Sequence, residues 1–219
     1  MTLQKNKEEL MRIVDRNDNT LAKLLDILKN VSDLGKPFEN YIKKVMVAKQ
    51  CLKTHILHKE GSITESAYYV SYGFILAYYF TKSGNLRVVK ILGPGSIVAG
   101  HGFLNHKKSK YNLMVFKDTY VLEITYEQMQ SGYVEVPGMQ ELAMLTKEGF
   151  EDEELAQDEV LSKSAEERVI DFYTKYPMLI PPGAMIKDLF VASLLRISPD
   201  HLRHIRASLI KKGLLPLKK

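Results

Sequence analysis

Residues 189–206 read Leu189-Phe-Val-Ala-Ser-Leu-Leu-Arg-Ile-Ser-Pro-Asp-His-Leu-Arg-His-Ile-Arg206. Apolar side chains recur where two short crossed helices would bury them against each other, at Val191, Leu195, Ile197, Leu202 and Ile205. Ser198 and Pro199 predict the start of the second helix, because a serine N-cap accepts a bond from a free N–H of the first turn and a proline after it has no N–H to satisfy. Arg196 occupies the turn, where such motifs commonly carry glycine. The stretch predicts a helix-turn-helix.

The polar side of the second predicted helix carries groups that can bond base edges or phosphates in a DNA major groove. We predict that DNA is bound by Ser198, Asp200, His201, Arg203, His204, Arg206, Lys211 and Lys212. Asp200, His201, Arg203 and His204 lie in the first turns, which enter the groove, and are expected to read bases. The last three cations lie further along the helix, so we expect them to bind phosphates irrespective of sequence.

The distribution of charge supports this interpretation. Eight basic and two acidic residues lie between positions 183 and 219, a net charge of +6, whereas the whole chain of 219 residues carries +5. A basic cluster within a helix-turn-helix is typical of phosphate binding, because each neutralised phosphate releases counterions. After the predicted reader, residues 212–216 leave room for a stunted wing or none.

The central part of the chain has a different texture. Short β-branched and aromatic runs alternate with glycine-containing turns, at residues 55–58, 68–72, 74–80, 86–92, 111–116 and 119–124. Many short strands at such spacing predict a β-sandwich or β-barrel of the jelly-roll kind. Residues 10–29 show helical spacing of apolar positions, which predicts a helical lead-in.

A long segment from Pro137 to Ser162 is rich in helix formers and contains no internal proline. We predict a connecting and dimerisation helix there, with apolar contacts from Met139, Leu142 and Leu145. The expected fold is α+β, with an effector β-roll and helical lead-in over residues 1–136, the dimerisation helix over 137–162, and the helix-turn-helix domain over 163–219.

The order of these parts resembles the cyclic-AMP receptor protein and FNR (CRP/FNR) family of bacterial transcription regulators. The resemblance rests on the helix-turn-helix, on Ala165-Glu-Glu-Arg168 with Tyr176-Pro177, and in the roll on Tyr68-Tyr-Val-Ser-Tyr-Gly73, Lys82-Ser-Gly84 and Leu92-Gly-Pro-Gly-Ser-Ile-Val98. It implies a cyclic-nucleotide-binding-like jelly roll and a homodimer that binds a two-fold double-stranded DNA operator. RNA polymerase is a further partner that the resemblance allows.

The same resemblance argues against cyclic AMP as the effector. Family members that bind it carry a Gly-Glu pair for the ribose and an arginine for the cyclic phosphate. Here Ala99-Gly100 stands at the first position, and Ser109 or Lys110 at the second, where lysine lacks the planar fork of arginine. A retained pocket would hold an unknown small-molecule effector or none, and its lining would include Ala99, Gly100, His101, Ser109, Lys110 and Tyr111.

Other signals narrow the setting. Cys51 is the only cysteine, so no internal disulfide can form, and thiol-ligated zinc and iron–sulfur clusters are excluded. Residues 1–12 lack the apolar core of a signal peptide, and the most apolar run, 68–80, is too short to span a bilayer. We expect a cytoplasmic protein without a membrane partner, metal or other cofactor.

Two alternatives stay open. The chain could be a ligand-sensing or protein-binding module with a decayed DNA reader, because Arg196 occupies the turn and His204 stands where the family usually has a base-reading arginine. It could also be a small-molecule enzyme on a cupin-like roll. The sequence lacks a clustered metal triad, a phosphate loop, a Ser-His-Asp order and paired catalytic carboxylates, so we expect no enzyme. The pairs His55 and His58, and His101 and His106, lack further ligands at metal-binding spacing.

Overall fold

A computed structural model describes residues 10–99, 102–147 and 162–216. The chain divides into two compact units. Unit 1 draws on Met1–Ala77 and Leu92–Phe150, and unit 2 on Tyr78–Ile91 and Glu151–Lys219. The hairpin around residues 78–91, expected within the first domain, therefore groups with the C-terminal segment.

Nine strands lie in the described residues of the roll: β1 Met11–Ile13, β2 Val47–Cys51, β3 His55–His58, β4 Ser66–Tyr72, β5 Ile75–Phe80, β6 Leu86–Leu92, β7 Ile97–Ala99, β8 Asn112–Val115 and β9 Tyr120–Thr125. They form a five-stranded sheet in the order β1-β2-β9-β4-β7 and a four-stranded sheet in the order β3-β8-β5-β6. In the first sheet all four pairings are antiparallel, as is β3 with β8. The predicted jelly-roll class is confirmed.

Two helices lie between β1 and β2, α1 Asp18–Val31 and α2 Gly35–Val45. A third, α3 Tyr126–Glu135, follows β9. Residues 139–147 are also helical (α4). The start of α3 has a local signal that the sequence prediction missed. Thr125 and Gln128 form a capping box, in which each side chain bonds the other residue's backbone N–H.

The predicted helical lead-in over residues 10–29 was wrong at its beginning. Residues 11–13 are a strand that pairs with β2, with Met11 opposite Cys51, and the helix begins only at Asp18. Asn17 sets that start, because its side chain accepts hydrogen bonds from the backbone N–H groups of Asn19 and Thr20. The apolar spacing at Leu10, Ile13 and Val14 mimicked a helix, and Ile13 is 69% exposed.

The core of unit 1 is apolar and lies between α1, α2 and the five-stranded sheet. Its buried members include Leu21, Phe38, Ile42, Leu122 and Ile124. Met139 and Leu142 of α4 are 2% and 3% exposed and belong to the same cluster, whereas Leu145 is 39% exposed. The expected domain boundary after residue 136 therefore does not coincide with the end of this core.

In unit 2 the helices are α5 Ala165–Lys175, a 3-10 turn Pro177–Leu179, α6 Asp188–Leu194 and α7 Pro199–Lys211. The sequence Ser164-Ala-Glu-Glu167 has the capping-box pattern and predicts the start of α5, and in the structure Ser164 caps α5 through this box with Glu167. The bond to Ser164 lowers the pKa of the Glu167 carboxyl. Deeply buried side chains of this unit include Val169, Tyr173, Leu179, Ile180, Ile186, Leu202 and Leu209.

Candidate DNA interface

The predicted helix-turn-helix is formed by α6 and α7. Ser198 is the N-cap of α7, its hydroxyl accepts a hydrogen bond from the His201 N–H at 3.1 Å, and Pro199 follows as the first helical residue. Of the five predicted apolar contacts, Val191, Leu195 and Leu202 are buried, whereas Ile197 and Ile205 are half-buried. The small Ala192 is 1% exposed. Both the cap and the packing of the two helices agree with the prediction.

The turn between the helices keeps its geometry although it lacks glycine. Arg196 has φ +56°, in the left-handed region that favours glycine. The Ile197 N–H donates to the Ala192 carbonyl at 3.1 Å, which closes the turn. The arginine therefore adopts a conformation that costs free energy for a residue with a Cβ atom.

Four predicted base-reading residues lie exposed on one side of α7: Asp200, His201, Arg203 and His204. The Arg203 guanidinium contacts the Asp200 carboxylate, and its Nε donates to the Pro199 carbonyl at 3.4 Å. Both groups of this exposed pair remain accessible to a ligand. Exchange of Asp200 for a DNA acceptor costs little, because exposed ion pairs contribute only about 0–1 kcal/mol.

The basic end of α7 also presents cations. Lys211 and Lys212 are exposed, and Lys212 Nζ lies 2.8 Å from a carboxylate oxygen of Glu166 in α5. Gly213, with φ +73°, follows the helix, and the Leu214 N–H returns to the Leu209 carbonyl at 2.9 Å. Residues 213–216 contain no strand. The expectation of a stunted wing or none stays a prediction.

Arg206 does not fit its predicted role as a phosphate contact. Its side chain is inside unit 2, where two guanidinium nitrogens donate to the two carboxylate oxygens of Asp188 at 2.7 and 2.8 Å. It also donates to the Tyr173 hydroxyl at 2.6 Å. The hydrogen bond with Asp188, followed by that with Tyr173, raises the pKa of Arg206. The bidentate pair with Asp188 ties α7 to α6, and the bond to Tyr173 ties α7 to α5. The guanidinium is therefore not free for DNA.

The sequence offered no signal for that contact. Asp188 and Tyr173 lie 18 and 33 positions from Arg206. In the sequence, Asp188 is simply one acidic charge in a basic segment. Burial raises the pKa of the Tyr173 phenol, so this hydroxyl stays protonated and can accept from the arginine while it keeps its own proton.

The predicted effector-pocket residues are only partly described. Gly100 and His101 lie outside the described residues, and Ala99 pairs with Ala67 at the end of β7. Ser109 is 4% exposed, and its hydroxyl donates to the Tyr111 carbonyl at 2.9 Å and accepts from the Tyr111 N–H at 3.1 Å. These bonds hold the loop itself. Lys110 is exposed and Tyr111 half-buried.

Cysteine and histidine side chains make local contacts. Cys51 is fully buried, and burial raises its thiol pKa to about 11, which keeps the thiol protonated. His55 Nδ1 lies 2.7 Å from the Lys53 carbonyl, and the His106 ring stacks on Tyr126 at 4.1 Å. Across residues 10–99, 102–147 and 162–216, no three His, Cys, Asp or Glu side chains are grouped to hold a metal ion.

Comparison with known proteins shows what the chain is similar to. Residues 48–133 match the model of the cyclic nucleotide-binding domain family. FixK2 from Bradyrhizobium japonicum is similar in fold, with 15% identity, a TM-score of 0.67, and coverage of 80% of this chain and 89% of that chain. TTHB099, a CRP-family transcriptional regulator from Thermus thermophilus, has 12% identity and a TM-score of 0.60, with 77% and 87% coverage.

The c-di-GMP-responsive global regulator CLP from Xanthomonas campestris is similar as well, with 15% identity, a TM-score of 0.58, and coverage of 93% and 96%. No curated protein matches the chain in sequence. Residues 48–133 are thus similar to cyclic nucleotide-binding domains, and the chain shares its fold with these proteins, among them a CRP-family regulator, as the resemblance in the sequence predicted. None of the helices in the described ranges has the length and apolar character needed to cross a membrane.

Proposed function

We propose that this protein is a sequence-specific DNA-binding transcription regulator in which α7 reads the major groove. The observation that carries the proposal is the capped helix α7, whose Asp200, His201, Arg203 and His204 are all exposed. A helix of 13 residues is about 20 Å long, and the major groove admits an α-helix. The fold of the comparison proteins supports the same function.

Within this proposal the residues have separate roles. Asp200 accepts from a cytosine amino group, and Arg203 or His204 donates to guanine. Lys211 binds a backbone phosphate, and Lys212 does so once it leaves Glu166. Arg206 does not contact DNA but holds α7 in place, because its guanidinium is hydrogen-bonded to Asp188 and Tyr173.

The effector and the assembly complete the proposal. Cyclic AMP is not the effector, because position 100 offers no carboxylate and positions 109 and 110 offer no guanidinium. The protein acts in the cytoplasm as a homodimer joined through α4 and the segment that follows it. In α4 the exposed Met144 and Leu145, 47% and 39% exposed, are the apolar groups that a second subunit would cover. Calorimetry with cyclic AMP and light scattering test these two statements.

The DNA reader is tested by selecting binding sites from a random duplex library with the full chain. Arg203→Ala and His204→Ala should each weaken the selected site by about 1–3 kcal/mol and relax the preference for one base pair. Lys211→Ala is the matched control, because it should weaken all duplexes alike and lower the salt slope by about one. Unchanged base preference in both α7 variants would refute the proposal and favour the ligand-sensing module with a decayed reader.

A further inference from the structure

Within unit 2, the β5–β6 hairpin is bonded to the helix-turn-helix through backbone groups of β6. Among the described strands, β6 is the last of its sheet, so one row of its N–H and C=O groups faces away from β5. The Ser193 hydroxyl of α6 accepts from the Val88 N–H at 3.0 Å and donates to the Leu86 carbonyl at 3.1 Å. The buried Tyr176 hydroxyl donates to the Ile91 carbonyl at 3.0 Å. Three backbone groups therefore hold the hairpin beside the DNA reader.

An open cleft of about 580 Å³ lies between the start of β6 and the turn of the helix-turn-helix. The hairpin lines it with Asn85 and Arg87, and the turn with Arg196 and Ser198. None of its ten lining residues is acidic. Among the described residues, none forms a salt bridge with either arginine. Two positive charges thus share one concave surface without a counter-charge, which favours an anion there.

The backbone at Arg196 gives independent support. Its φ of +56° costs about 1–3 kcal/mol for a residue other than glycine, and such conformations cluster at functional sites. A glycine would close the same turn at lower cost. The Arg196 side chain is exposed, so its burial in a core does not explain this cost.

We propose that this cleft binds a phosphate of the DNA backbone, so that the β5–β6 hairpin is a second DNA-contacting element beside α7. The inference rests on the proposed function. The cleft adjoins Ser198 and Pro199, the residues at which α7 begins, and the first turns of a recognition helix enter the major groove between two lines of phosphates. Guanidinium forks match phosphate oxygens bidentately, and a contact of this kind positions the protein without reading sequence.

The test measures binding of the full chain to its selected duplex and to a random duplex over a range of salt concentrations. Arg87→Gln and Arg196→Gln should each weaken both duplexes by the same factor, about ten- to hundredfold, as expected for loss of one charge-assisted hydrogen bond. Each should lower the salt slope by about one and leave base preference unchanged. Lys163→Gln is the matched control, since it removes an exposed cation of unit 2 that does not line the cleft.

Arg87→Lys separates charge from geometry: it should keep the salt slope while it loses part of the affinity. If Arg87→Gln binds like Lys163→Gln while Arg203→Ala still relaxes base preference, the cleft assignment is wrong and the proposed function stands. If the unchanged protein binds no duplex, both are wrong. Titration with inorganic phosphate in the absence of DNA, followed by NMR, provides a further arm. Arginine-dependent phosphate binding without any effect on DNA affinity would show a small-anion site instead.

Discussion

The two units of this chain are stabilised by different kinds of centre. In unit 1 the buried cluster consists of apolar side chains, from Leu21 and Phe38 to Leu142. In unit 2 a buried cation, Arg206, is held by Asp188 and Tyr173. Truncation of a buried apolar side chain lowers the free energy of unfolding in proportion to the cavity that it leaves. A buried charge destabilises the fold most when only its partner is removed. The units should therefore respond differently to substitution.

The largest effect is expected in unit 1. Leu142→Ala should lower the free energy of unfolding of this unit by about 3 kcal/mol, because Leu142 is 3% exposed and its truncation leaves a cavity. Hydrogen exchange of α1 and β9 amides in denaturant measures it. Glu141→Ala is the control in the same helix, because Glu141 is exposed, and it should cost less than about 0.5 kcal/mol. Equal effects of both substitutions would contradict the placement of Leu142 in the core.

The next effect concerns unit 2. Asp188→Asn should destabilise it by about 2–3 kcal/mol, below the range of fully buried pairs because the Asp188 side chain is 25% exposed. Hydrogen exchange of the α7 amides should show the loss, with unit 1 unaffected. The exposed pair of Lys163 and Asp171 provides the control, and Asp171→Asn should cost less than about 1 kcal/mol. If Asp188→Asn destabilised unit 2 as little as Asp171→Asn, the ion pair of Arg206 would not be a stabilising centre distinct from the apolar core of unit 1.

A gain in stability is expected at the turn. Arg196→Gly should stabilise unit 2 by about 1 kcal/mol, because glycine adopts the φ of +56° without a steric cost. Arg196→Ala removes the same charge but keeps a Cβ atom, so it should not stabilise. Thermal unfolding compares the two variants, and both should bind DNA more weakly if the cleft holds a phosphate. A lower melting temperature for the glycine variant would contradict the left-handed conformation.

The smallest effect concerns the ion pairs of Glu39 in unit 1. Hydrogen bonds from Lys29, followed by those from Lys36, lower the pKa of Glu39 from its usual 4.5 to about 2. A lowered carboxyl pKa stabilises the folded state above pH 4.5, and this contribution is lost as the pH falls towards 2. Glu39→Gln should therefore destabilise slightly at neutral pH, and the difference from the unchanged protein should vanish in acid. Urea midpoints measured across this pH range check the sign.

Several features of this protein followed from the sequence alone because their signals are local. Ser198 with Pro199 predicted the start of α7, and Ser164 with Glu167 that of α5, because a cap and its recipient lie within one helical turn. Short β-branched and aromatic runs between glycine-containing turns predicted the jelly roll and six of the nine described strands, namely β3, β4, β5, β6, β8 and β9. The exposed polar side of α7 also followed from helical spacing.

Only the tertiary structure decided which of two chemically reasonable positions a side chain takes. Arg206 suits a phosphate as well as it suits Asp188, and the crossing of α5, α6 and α7 brings the carboxylate within 2.7 Å. Leu142 suits a dimer as well as a core, and the core covers it. Ser193 bonds to Val88 across 105 positions of sequence. Such contacts depend on how distant segments meet, and no local periodicity or cap encodes that meeting.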